Sequence, residues 1–195
     1  MNEYLCEEDG ASTPLTTEEH EDLIPSYISL RSELNEAEQR NILMAEEWAF
    51  RRSRDVLSEL FLKELHKKMF GKVWKWAGQF RQSERNIGVA AYRIPTDIRQ
   101  LIDDCKFWIE NDSYEVDEIA VRFSRRLVKI HPFPNGNGRH CRMAADLLLH
   151  NLGQKRFTWG RASLIDAGVT RQSYIDALRA ADEHDYTLLS IFVRS

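Results

Sequence analysis

Apolar residues recur at helical spacing through most of the chain, in blocks separated by glycine, proline and polar turns. The clearest block is Val116, Ile119, Ala120, Phe123, Leu127 and Ile130, one face of a single helix. Leu34, Ile42, Ala45, Trp48 and Ala49 form a second stripe, which predicts a helix capped by Ser32 and running through residue 52. Further helices are predicted over residues 55–70, stopped at Gly71, and from a Thr96 cap to about residue 111. Residues 138–152 predict another, closed by Gly153, and residues 171–183 and 186–193 predict two more. Thr16 and Glu19 fit a capping box at the start of a short helix that Pro25 ends. Residues 1–15 are acidic and aperiodic and read as poorly ordered.

Residues 74–95 break the helical rhythm. Gly78, Gly88, the Arg85–Asn86 pair and short apolar runs predict a loop and a small hairpin there. The expected architecture is therefore mainly α, with one small β-hairpin. A length of 195 residues suits one domain with a sizeable core, and no repeat or low-complexity linker divides it. No apolar run is long enough to span a membrane, and the amino terminus lacks the layout of a signal peptide. Cys6, Cys105 and Cys141 have no metal-ligand spacing and cannot all pair. Reduced thiols and a cytoplasmic location are expected.

Charge is unevenly spread. Residues 1–47 hold 13 acidic and 2 basic side chains, and residues 48–195 hold 18 and 25. An acidic segment thus precedes a basic body, either as a solvated tail or as a cover over an anion site. Direct nucleic-acid binding is not expected, since the isoelectric point is near 5.9 and no basic helix or aromatic platform is present.

One string is not explained by packing: His131 to Arg142, HPFPNGNGRHCR. Asn135, Gly136, Asn137 and Gly138 tolerate left-handed backbone angles, so successive N–H groups at a helix start can converge on phosphate. Arg139 and Arg142, three apart, share a helix face and suit a polyphosphate. An imidazole titrates near neutrality, so His131 is a candidate general base. Each part alone has a plainer reading: a capping loop, solvated arginines, a core histidine. Together they converge within one turn. Phe133 reads as a core anchor, and His140 and Cys141 as structural.

This string resembles the Fic-domain signature, HPFx(D/E)GNGRxxR. The resemblance extends to LHKKMFGKVWKWAGQFR, to NIG at 86–88 and to RQSYIDALRAADEHDYTLLSIF, covering about residues 55–195. The wording RSELNEAEQRNI is similar to the subgroup named mobile mystery protein B. The resemblance implies a Fic-like helical bundle with a β-hairpin flap over residues 55–195, preceded by an acidic segment over 1–54. It also implies protein adenylylation: AMP passes from ATP to a Ser, Thr or Tyr hydroxyl of a target protein. His131 would be the base, and Gly136, Asn137, Gly138, Arg139 and Arg142 would bind the nucleotide. Residues 87–94, notably Ile87, Gly88, Val89, Ala90, Ala91 and Tyr92, would dock target backbone as an added strand. The subgroup further implies a helix-turn-helix protein as a regulatory partner.

Asn135 departs from the family pattern, which has an acid there to ligate Mg²⁺. A neutral amide oxygen can ligate a hard cation more weakly, so magnesium dependence should be reduced. Many Fic proteins carry an inhibitory helix with the pattern (S/T)xxxE(G/N). Ser29–Glu33 and Ser32–Glu36 match it in part, which makes Glu33, with Glu36 in reserve, the candidate to block Arg142. Two other functions fit the same residues less well. Doc-like phosphoryl transfer departs from the GNGR wording, and a non-catalytic nucleotide-binding regulator draws only on Asn135.

Overall fold

The computed structural model describes residues 17–160, 167–183 and 185–195. The cap expected at Thr16 and the tail before it lie outside these. Among the described residues the helices are α1 (Thr17–Asp22), α2 (Arg31–Phe50), α3 (Glu59–Phe70), α4 (Ile94–Glu110), α5 (Val116–Ile130), α6 (Asn137–Asn151), α7 (Ala167–Asp182) and α8 (Thr187–Arg194). The protein is mainly helical.

The α5 stripe explains why that helix is central. Ile119, Phe123, Leu127 and Ile130 turn to the main core, while Ala120 and Val121 on another face pack with Leu149, Tyr174, Ala177 and Val193. α4, α6 and α8 all contact α5, α2 lies on α3, and α3 also meets α6. Phe123 is fully buried, and its truncation to alanine should cost about 3–5 kcal/mol. Leu34, Ala45 and Ala49 of α2 belong to the same core as α3, so the described part of the amino-terminal segment packs on the body.

Local chemistry moves several helix starts from their expected places. α3 begins at Glu59 because the Ser58 hydroxyl accepts the Phe61 N–H at 3.2 Å. α4 begins at Ile94, before the expected Thr96 cap, with Pro95 in the first turn where its missing N–H costs nothing. α2 begins at Arg31, so Ser32 is inside the helix. The Glu33 carboxylate serves its first turn instead, accepting the N–H groups of Ser29 (2.8 Å) and Leu30 (3.1 Å).

The expected hairpin does not form. Among the described residues the only β-type pairing is an isolated bridge between Leu23 and Trp74. Residues 82–90 are an irregular loop that runs into a 3-10 turn, Ala91–Arg93. The backbone groups a hairpin would pair are engaged elsewhere. Val89 N–H reaches Ile130 O at 3.3 Å, Val89 O accepts from the Arg81 guanidinium, and Ala91 N–H reaches a Glu84 carboxylate oxygen at 3.0 Å.

Candidate active site

His131 closes α5 in the left-handed conformation, φ 54° and ψ 61°, with its N–H on Leu127 O at 3.3 Å. A non-glycine residue held there costs roughly 1 kcal/mol, so the turn around it must be well fixed. Its side chain is buried, and Gly88 of the 82–90 loop lies against it: a Cβ at Gly88 would come within 2.6 Å of His131 Cβ.

Asn137 fixes that turn. Its Oδ1 accepts the Phe133 N–H and its Nδ2 donates to Phe133 O, both at 2.9 Å, and the side chain is buried. The phosphate contact expected of Asn137 is thereby left to its backbone. Gly136 precedes α6 at φ 77°, and a Cβ there would strike the Phe70 ring at 2.6 Å, so only glycine fits. Gly138 differs, since a Cβ there would meet nothing within 4 Å. The first helical bond of α6 runs from His140 N–H to Gly136 O. Among the described residues no group accepts from the N–H groups of Asn137, Gly138 or Arg139. Three such donors at a helix start, beside an open glycine, have the chemistry that can receive an anion.

The arginines are unlike each other. Arg139 donates to Glu38 Oε2 at 2.6 Å and lies over the Phe70 ring. Arg142 is half-buried, and no hydrogen bond or ion pair engages it among the described residues. Glu38 is itself buried and takes the Trp74 indole N–H at 2.6 Å on its other oxygen. The acid of α2 that meets the motif is thus Glu38. Glu33 is committed to its own helix start and Glu36 to Arg40, both at the surface. The assignment of Glu33 or Glu36 to Arg142 is corrected on that ground.

Three rings hold the loop from beneath. His66 of α3 is buried, stacks on Phe133 at 3.7 Å, accepts the Gly78 N–H on Nδ1 and meets Asn135 O at 3.0 Å through Nε2. The Gly78 bond makes Nε2 the protonated nitrogen, so His66 donates to Asn135 O. Burial, with the neighbouring His140 second, holds its pKa well below the usual 6.5. His140 packs edge-on to Phe133, reaches Leu62 O at 3.0 Å and is lowered by burial to about 4. Both are neutral struts. Burial likewise raises the Cys141 thiol, which makes it a poor nucleophile.

Asn135 is exposed, and its side-chain oxygen takes the Gly136 N–H at 2.5 Å. Among the described residues no group of three or more His, Cys, Asp or Glu could hold a metal ion. At the position where the family pattern has a metal-ligating acid, Asn135 presents a neutral oxygen that already accepts the Gly136 N–H. Of residues 87–92, Gly88 lies against His131, and Val89 has both backbone groups occupied.

Residues 56–149 match the model of the Fic/DOC family. This segment belongs to the Fic/DOC family. The chain is 29% identical over 126 residues to the protein adenylyltransferase Fic of Aedes aegypti, covering 63% of this chain and 24% of that one. The chain thus spans about a quarter of that relative's length. The fold is similar to the crystal structure of the BepC effector protein of Bartonella tribocorum with bound AMPPNP: TM-score 0.69, 18% identity, 98% and 94% of the two chains. It is also similar to a Fic-1 fragment from C. elegans, with TM-score 0.63, 21% identity, and 80% and 48% of the chains. No helix among the described residues is long and apolar enough to cross a membrane.

Three site residues escaped the sequence reading: Glu38, His66 and Arg81. Glu38 follows Leu34 by four on the buried face of α2, so a carboxylate in an apolar stripe was its signal. His66 carried the same signal among Leu62, Leu65, Met69 and Phe70. Arg81 had none, because its partners come from the irregular loop and from His131 and Pro132 at the far end of α5.

Proposed function

We propose that this protein is an adenylyltransferase that moves AMP from ATP to a hydroxyl side chain of a protein. The observation that carries the reading is the cluster of three N–H groups at Asn137–Arg139, open at Gly138, with Arg142 one turn on, none of them paired among the described residues. Such a cluster receives phosphate oxygens, and His131 stands at the other end of the same short turn. The adenylyltransferase name of the Aedes relative and the AMPPNP bound to the Bartonella effector support nucleotide chemistry at this fold.

In this reading His131 takes the proton of the target hydroxyl, and that oxygen bonds to the α-phosphorus. The bond from the α-phosphorus to the bridging oxygen breaks, and pyrophosphate leaves. The backbone N–H groups and Arg142 stabilise charge on the phosphates, with Arg139 joining once released from Glu38. The exposed Asn135 would offer a magnesium ion a neutral oxygen, and such an ion would supply charge neutralisation on the phosphates. Analysis of the small-molecule product tests the reaction class. Pyrophosphate is expected in step with protein labelling; ADP would point instead to phosphoryl transfer, and neither product to a nucleotide-binding regulator.

A further inference from the structure

Arg81 is a buried cation whose hydrogen bonds all end on main-chain carbonyls. It is 3% exposed. Its Nε–H reaches His131 O at 2.7 Å, Nη1 reaches Ser83 O at 2.9 Å, and Nη2 reaches Val89 O. Its backbone N–H donates to Pro132 O at 2.9 Å, and Val89 N–H donates to Ile130 O at 3.3 Å. The carbonyls of 130, 131 and 132 are thus all held by the segment from Arg81 to Val89. Two of them end α5, where helix carbonyls lack partners and a cation is favoured. Burial lowers the Arg81 pKa, with Glu84 opposing, yet a guanidinium stays charged.

The acceptors diverge. A planar guanidinium reaches three directions at once, which an ammonium on a flexible stem does not. One bond fixes the residue whose imidazole is the candidate base, and another fixes the loop whose Gly88 lies against that imidazole's Cβ. We propose that Arg81 is a positioning residue for the transfer: it ties the left-handed His131 backbone to the 82–90 loop, so that base and loop keep one geometry. The inference rests on the adenylyltransferase reading for its kinetic part and on the fold alone for its coupling part. Arg81 acts through His131 and touches no substrate.

The test compares the parent, Arg81→Ala and Arg81→Lys. It measures autolabelling from ATP labelled at the α-phosphate, ATP affinity, and hydrogen exchange in peptides spanning 82–90 and 127–133. Arg81→Ala is expected to lose about 100-fold in rate, as misplacement by an ångström can cause, while ATP affinity stays within about threefold. Exchange rises together in both peptides, and millimolar guanidinium ion restores part of the rate. Arg81→Lys behaves like Arg81→Ala without rescue, and it carries the test if the alanine variant does not fold. A rate within about threefold of the parent, or faster exchange in only one peptide, overturns the proposal. A parent that labels no protein contradicts the adenylyltransferase reading, and the paired exchange then decides the role of Arg81 alone.

Discussion

At His131 the backbone and the side chain serve different ends: the left-handed turn closes α5, and the imidazole it directs is the proposed base. His131→Ala should therefore lower transfer by roughly 10²–10⁴-fold, the range of a general base, while ATP binding survives. Retained activity would make the histidine a cap. Four residues on, Asn135 has a different fault, a neutral oxygen where a hard cation prefers charge. Asn135→Asp should reach half-maximal transfer at lower Mg²⁺ than the parent. The same half-saturating Mg²⁺ in both proteins would place residue 135 away from the metal.

Among the elements, α2 reaches the motif through Glu38 and nowhere else among the acids considered. Its carboxylate neutralises Arg139, which an incoming phosphate would also need. Glutamine at 38 keeps an oxygen for the Trp74 indole and removes the charge. Glu38→Gln should tighten ATP binding roughly fivefold, the equivalent of about 1 kcal/mol, at a stability cost of about 1–2 kcal/mol. Glu33→Gly should lower stability by losing the bonds to Ser29 and Leu30, and leave ATP binding unchanged. Calorimetric titration of both variants separates the two acids. Tighter binding by Glu33→Gly alone would reverse the assignment. Helices were legible in the sequence because the α5 and α6 patterns report burial directly. The 82–90 segment was not, because its bonds to the Arg81 guanidinium and to Ile130 O follow no periodic pattern.

In the molecule as a whole, the motif was legible as chemistry but its supports were not. His131, the glycines and the arginines sit in one string, whereas His66, Arg81 and Glu38 arrive from α3, the connection between α3 and α4, and α2. The neutral struts also set a pH limit. His66 and His140 stay uncharged in the fold, while their unfolded forms take protons near pH 6.5. Stability should hold above that value and fall as pH drops below it, by up to about 1.4 kcal/mol per pH unit for each histidine, levelling for His140 near pH 4. Denaturant unfolding of parent and His140→Gln between pH 4 and 7 checks this, the variant showing the shallower slope. The central claim, that the nest and His131 together move AMP, is tested most directly by parallel incubations with ATP labelled at the α- or the γ-phosphate. Label on protein from the α-phosphate alone, lost in His131→Ala, is the predicted result. Label from the γ-phosphate, or none from either, would contradict it.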